Sequence, residues 1–324
     1  MTVTTLPDTD LKPEEFAQAA VAPIADAVGR PAREAAKVLA DAGLLGVCAD
    51  EDDGGLGLGI AFALPIAIEA GRQMLPLPLV EHLLVAKALH GTPEAVALCS
   101  GQRLATWALQ GDFGSGVAGH ARHAADCDWV LVADGQGGAA LCEAASLVLQ
   151  PDEALAPEYP QYWLRLEGAQ VLARIDAPTF TALQRDLQVL LAGFVGGSAD
   201  GALARTAEYM ATRVQFGRPL SAKQAVRHML SRMCLARETS DASVHRLLEV
   251  DEFGAERDTG AALAHAIAQS AFVLEKAIHL HGGMGFTWEL PLHHGLREVR
   301  KFDAAFGAGA LARQAGQLFI ASVE

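Results

Sequence analysis

Aromatic residues make up only 6% of this sequence, against 51% hydrophobic residues in which Ala, Leu and Val dominate. So little aromatic bulk argues against a β-sandwich and for a helix-rich protein. The five cysteines, Cys48, Cys99, Cys127, Cys142 and Cys234, include no C-x-x-C pair. That spacing excludes a zinc knuckle and a disulfide framework, and it predicts free thiols in a reducing compartment. Positive charge is short as well: 25 Lys and Arg face 39 Asp and Glu, for a net charge of -14. A general nucleic-acid binder needs the opposite balance, so any anionic ligand must meet local arginines. Met1 to Asp10 carries no basic residue and no apolar run of leader length. Glu69, Arg72 and Glu81 interrupt the most apolar region, so no uninterrupted run reaches the roughly 18 residues of a membrane span. The expectation is a cytoplasmic protein with neither nucleic acid nor membrane as partner.

What is present divides the 324 residues into three parts, since single cores stop growing somewhere below about 300 residues. Residues 1–102 have a helical pattern broken at Gly29-Arg-Pro31, from Asp50 to Gly59 and at Pro76 to Pro78, which predicts an N-terminal helical domain. Thr92 followed by Pro93 has the form of an N-cap with proline at the first helical position, opening that domain's last helix. Residues 103–178 carry short apolar runs between glycine, aspartate and proline clusters, notably Leu104–Leu109, Trp129–Ala133, Ala145–Gln150 and Tyr162–Leu166. They predict a small β domain with too few residues for a large sheet. Residues 179–324 return to helical periodicity, with stripes at Val226, Met229, Met233 and Ala236 and at Leu263, Ile267, Ala271, Leu274 and Ile278. A bundle of long helices buries such stripes as core.

Several segments carry a family resemblance. Leu39 to Gly46, followed by the acidic, glycine-rich Glu51 to Gly59, looks like the N-terminal helix and turn of the acyl-CoA dehydrogenase family. Those glycines do not read as a dinucleotide loop, because helical sequence flanks them on both sides. Tyr209-Met-Ala-Thr-Arg213-Val-Gln-Phe216-Gly217-Arg-Pro-Leu220, with Gln224, is similar to the family's most recognisable signature. His281-Gly282-Gly283-Met-Gly285-Phe-Thr-Trp288-Glu289 resembles its second element, and Leu296 to Gly307 its bacterial final helix. The resemblance implies a mostly α fold with a small, reduced central β domain, and it implies FAD as cofactor. It assigns Arg213, Phe216, Gln224, His279, Gly282 and Gly283 to cofactor contact, chiefly with FAD bound by a neighbouring subunit. His279 stands where the family often has glutamine, and it can still donate a hydrogen bond. His279, His281, His293 and His294 have no carboxylate or cysteine at ligand spacing, so no metal site is read from them.

Family members remove the α-proton of a CoA thioester with a glutamate. Of its two known places, one is Leu187 in this chain and the other Gly307. Asp186 adjoins the first but points about 100° away on a helix. The flavin-facing segment of the β domain reads Leu109-Gln-Gly-Asp-Phe-Gly-Ser-Gly116, and the strand that covers the flavin ring has no clear counterpart. These departures resemble the smaller, non-catalytic subunit of bacterial α2β2 acyl-CoA dehydrogenases, with no catalytic residue of its own. The resemblance further implies an acyl-CoA substrate of bulky steroid type, a catalytic partner subunit and an acceptor such as electron transfer flavoprotein. Two alternatives stay open at this point: a self-sufficient enzyme using Asp186 or Asp303 as base, and a non-enzymatic scaffold of the same fold.

Overall fold

The structure, a computed structural model, describes residues 11–152, 157–251 and 254–321. Five helices come first: α1 (Pro13–Ala27), α2 (Ala32–Asp41), α3 (Ile60–Arg72), α4 (Leu79–Ala88) and α5 (Pro93–Cys99). Their breaks fall where turn formers stand. Gly29 at φ +82° separates α1 from α2, and Pro78 precedes α4. The Thr92 hydroxyl accepts from Ala95 N at 3.3 Å with Pro93 at the first position of α5, the capping that the sequence predicts. Between α2 and α3 the Glu51–Asp53 segment is a single 3-10 turn, so the glycines after it follow no strand.

The middle region folds as one sheet. Its strands are β1 (Ala105–Asp112), β2 (Val117–Arg122), β3 (Trp129–Ala133), β4 (Ala139–Glu143), β5 (Val148–Asp152), β6 (Gln161–Arg165) and β7 (Val171–Ile175), in the order β5-β6-β2-β1-β3-β4-β7. Only β1 and β3 pair in parallel; the other neighbours are antiparallel. The four candidate strands of the sequence correspond to β1, β3, β5 and β6, so the expectation of too few residues for a large sheet is corrected. Seven strands fit because six of them have only five or six residues. The sequence marks none of β2, β4 and β7; β2 and β4 consist largely of small residues, with little side-chain signal of their own. Ala118, Ala121, Ala140 and Cys142 are fully buried beside Val130 and Val132, where small size is what the packing needs.

The chain then forms α6 (Ala177–Thr212), the short hairpin β8 (Val214–Gln215) and β9 (Arg218–Pro219), α7 (Gln224–His245), α8 (Thr259–His281), α9 (Leu292–Phe306) and α10 (Ala308–Ala321). Asp176 caps α6 by accepting from Thr179 N at 2.9 Å. By length and composition α6 alone among the described residues could cross a membrane, but 72% of its most apolar stretch is buried inside the protein. Its glycines explain how deeply it sits. A Cβ on Gly197 would stand 1.9 Å from Ile68 O, and one on Gly71 of α3 would stand 1.9 Å from Phe194 O. Helices α3 and α6 therefore touch backbone to backbone, which no larger residue permits. The stripe from Leu263 to Ile278 is buried throughout, whereas of the α7 stripe Met233 and Ala236 are buried and Val226 and Met229 are half-buried.

A buried ionic cluster joins the three regions. Arg122 on β2 places Nη1 2.9 Å from Glu81 Oε1 on α4 and Nε 2.7 Å from Glu298 Oε1 on α9. Its guanidinium lies 5.2 Å from the ring centre of Phe194 on α6 and 4.9 Å from that of Phe302 on α9. Lys301 Nζ reaches Glu298 Oε2 at 2.5 Å. Burial works against both charges, but the carboxylates raise the Arg122 pKa above its ordinary value, and Arg122 and Lys301 hold Glu298 below the usual carboxylate range.

His82 on α4 makes a second link. Its Nδ1 accepts from Ala105 N of β1 at 3.3 Å, and the protonated Nε2 faces Leu98 O of α5 at 3.3 Å. A single neutral tautomer serves both contacts. Burial lowers the His82 pKa from 6.5 to about 4.

Two outcomes follow from these links. Arg122→Leu leaves Glu81 buried without a cation and should cost about 3–5 kcal/mol in urea unfolding, of which added Glu81→Gln recovers a part. The unfolded chain binds a proton at His82 that the folded chain refuses, so this contribution is present above pH 6.5 and lost as pH falls toward 4. Stability should drop by about 3 kcal/mol across that window, and His82→Leu should flatten the slope.

Candidate cofactor half-site

Helix α6 ends at Arg213, whose N–H donates to Tyr209 O at 2.9 Å. The hairpin that follows is closed by Leu220 N donating to Arg213 O at 2.9 Å. Its two-residue loop, Phe216 at φ +55° and Gly217 at φ +75°, has the positive φ values of a type I′ turn. Glycine adopts such a value freely, whereas for phenylalanine the left-handed region costs roughly 1–2 kcal/mol. That strain supports a ring that is 89% exposed, with Lys223 Nζ 4.8 Å from its centre. Arg213 is also exposed, and no carboxylate among the described residues lies within ion-pairing distance of it. Gln224, the first residue of α7, is exposed beside the same turn.

The second segment begins where α8 ends. Gly282 takes φ +62° and ψ -137°, a conformation open essentially to glycine alone, and starts the 3-10 turn Gly282–Phe286. Gly285 folds back onto α8, since a Cβ there would stand 2.4 Å from Ile278 O. Gly283 has neither constraint: nothing lies within 4 Å of its Cβ position, and its backbone faces open space. His279 is exposed at the same helix end.

The structure brings these two segments together at one end of the bundle. The Tyr209 ring stacks on His281 with centres 4.5 Å apart and planes 13° apart, and its hydroxyl lies 4.0 Å from Met284 Sδ. Arg213 is one helical turn beyond Tyr209, and Gly282 is the residue after His281. An unpaired guanidinium, open backbone without Cβ and an exposed flat ring therefore share one surface. These groups fit a dinucleotide with a diphosphate centre and an aromatic base, the chemistry that FAD presents.

The positions at which a base could stand lie elsewhere. Leu187 is 3% exposed in the core of α6, about 39 Å along the helix from Arg213 at 1.5 Å for each of the 26 residues between them. Gly307 is the C-cap of α9 at φ +58°, where glycine is favoured for backbone reasons. Asp186 pairs with Lys87 Nζ at 2.6 Å, and Asp303 with Arg300 Nη1 at 3.2 Å. In the β1–β2 turn, Asp112 and Ser115 bond each other and the local backbone: Ser115 N donates to Asp112 Oδ1 at 2.7 Å, and the Ser115 hydroxyl to Val117 O at 2.8 Å. Gln110 Nε2 donates to Ala305 O of α9 at 2.6 Å. The polar groups of this segment are thus directed at the chain itself.

Of the four histidines near the second segment, only His293 and His294 touch each other, with ring centres 4.2 Å apart. His281 Nδ1 donates to Ala277 O at 2.8 Å, His293 Nε2 to Thr287 O at 3.1 Å, and His294 packs against His293 and Trp288. The sequence marks Phe216 but neither its left-handed conformation nor the Tyr209–His281 stack. A signal for that conformation was present, since a residue before glycine between two short extended runs is the pattern of a type I′ loop.

Residues 12–96 match the N-terminal domain and residues 187–317 the C-terminal domain of acyl-CoA dehydrogenases. The chain is 31% identical over 250 residues to the acyl-CoA dehydrogenase IpdE2 of Mycobacterium tuberculosis, covering 75% of this chain and 72% of that one. It is 28% identical to FadE34 of the same organism over 83% of its own length, but spans only 39% of FadE34. Among solved structures, a variant of the Tcur3481–Tcur3483 steroid ACAD superposes with a TM-score of 0.82 at 25% identity, covering 96% of this chain and 98% of that one. The ChsE4–ChsE5 complex from Mycobacterium tuberculosis superposes with a TM-score of 0.81 at 24% identity over 99% of both chains. Members of this group of structures bind FAD. By its two matched domains, its relatives and its fold, the chain belongs to the acyl-CoA dehydrogenase family.

Proposed function

We propose that this chain is the non-catalytic subunit of a heteromeric, FAD-dependent acyl-CoA dehydrogenase. One observation carries the reading: Arg213, Phe216 and the Gly282–Gly283 turn sit together, exposed, at one end of α6, while the base position on that same helix is a buried leucine about 39 Å away. A single dinucleotide cannot bridge that separation within one chain, so Arg213 would serve FAD held by another subunit. Arg213 would pair with the diphosphate, Phe216 and Gln224 would flank the base, and the Gly282–Gly283 backbone with His279 would close over it. The bound FAD supplies a hydride acceptor for the Cβ hydrogen of the thioester. This chain's residues orient that cofactor and exclude water from its adenine side, while the α-proton is left to a carboxylate of the partner.

The steroid enzyme and the ChsE4–ChsE5 complex among the similar structures support an assembly of unlike subunits and a bulky, ring-bearing CoA thioester as substrate. A flavoprotein such as electron transfer flavoprotein would receive the electrons. Asp186 and Asp303 are held in ion pairs with Lys87 and Arg300, which disfavours either as base.

The reading is tested by expressing the chain alone and together with a family member that carries the glutamate. Only the complex should be yellow and oxidise acyl-CoA, whereas an isolated chain that is yellow and active would overturn the proposal. In the complex, Asp186→Asn and Asp303→Asn should leave the turnover rate unchanged; loss of turnover with normal folding would restore one of them as base. Phe216→Asn relieves the left-handed strain, so it should keep or raise the stability of the isolated chain by up to about 1 kcal/mol while weakening FAD retention in the complex.

A further inference from the structure

Two turns that must present a guanidinium and a bare backbone to the same ligand need a common frame. Neither turn supplies one: the Phe216 loop projects from a two-stranded hairpin, and Gly282 is among the least restricted residue types in the chain. What joins them is a single residue with three contacts. The Tyr209 carbonyl accepts from Arg213 N at 2.9 Å, its ring lies on His281 at 4.5 Å and 13°, and its hydroxyl meets Met284 Sδ at 4.0 Å. His281 is itself fixed. Its ring is 6% exposed, and Nδ1 donates to Ala277 O at 2.8 Å, so the imidazole cannot turn without breaking that bond. The stack therefore holds the last turn of α6 against the last turn of α8, one residue before the glycine pair.

We infer that Tyr209 and His281 are positioning residues that lock the Arg213 hairpin and the Gly282–Gly283 turn into one cofactor-binding frame. The inference rests on the reading of this surface as an FAD half-site and assigns to it two residues that would not touch the cofactor. The ring of Tyr209 does the larger share, because the stack is extensive while an O–H to sulfur contact at 4.0 Å is weak. Behind the turn, His293 Nε2 bonds Thr287 O at 3.1 Å, so its far end is held independently. Loosening should accordingly be confined to the near end.

The test uses Tyr209→Ala, Tyr209→Phe, His281→Ala and, as a control on the underlying reading, Arg213→Ala. Two quantities are followed: amide hydrogen exchange across residues 282–286 in the full chain, and the FAD dissociation constant of the complex with its flavin-holding partner. Tyr209→Ala and His281→Ala should each speed exchange in that turn and weaken FAD by roughly three- to tenfold, with Tyr209→Phe near the wild type in both. Arg213→Ala should weaken FAD without changing exchange in the turn. If exchange is unchanged in Tyr209→Ala and His281→Ala, or if FAD is held as before by both while Arg213→Ala releases it, the positioning role is overturned and the half-site stands. If Arg213→Ala also retains FAD, the half-site reading itself fails, and the inference with it. A Tyr209→Phe variant as weak as Tyr209→Ala would overturn the assignment to the ring.

Discussion

Among the described residues, Arg122 is the cation that ties the three regions of the chain together. Glu81 brings α4, Glu298 brings α9, and Arg122 brings the sheet, with the Phe194 and Phe302 rings packed beside the guanidinium. None of these charges is stable in the interior by itself, so the elements that carry them must meet in one arrangement. With that junction set, α6 runs through the molecule as a fixed rod. Its glycines allow α3 to approach to backbone contact, and its two ends acquire distinct surroundings. One end is packed against the sheet near Trp107 and Phe180; the other presents Arg213 to the outside.

The length of that rod governs the functional reading. On the proposed reading, the base position and the arginine, 26 residues apart on one helix, would serve two different sites. In this protein the two positions have opposite surroundings. The Leu187 end is apolar and closed, with Asp186 turned to Lys87, while the Arg213 end holds an unpaired cation, a strained exposed ring and an uncovered glycine backbone. An exposed phenylalanine in a left-handed conformation is unfavourable in an isolated chain, and contact with a planar ligand would offset that cost.

Much of this was legible in the sequence because local chemistry determined it. The breaks at Gly29, at Pro78 and around Gly54 and the cap at Thr92 follow from single residues, and the signature around Arg213 is a dense local pattern. Strands β2 and β4 escaped notice because their residues are small and are held by neighbouring strands rather than by propensity of their own. The ionic junction escaped for a related reason. Glu81, Arg122 and Glu298 are 41 and 176 residues apart in pairs, and nothing local marks a glutamate in an apolar helix as the partner of a distant arginine. The Tyr209–His281 stack is likewise a contact between two helix ends that only the tertiary fold creates.

An experimental structure of this chain in complex with the proposed catalytic partner and FAD would locate the cofactor directly. The diphosphate should lie within hydrogen-bonding reach of Arg213, about 3 Å, with the flavin ring against the partner subunit. A flavin ring lodged beside Leu187 of this same chain would contradict the assignment of Arg213 and the Gly282–Gly283 turn to a neighbour's cofactor.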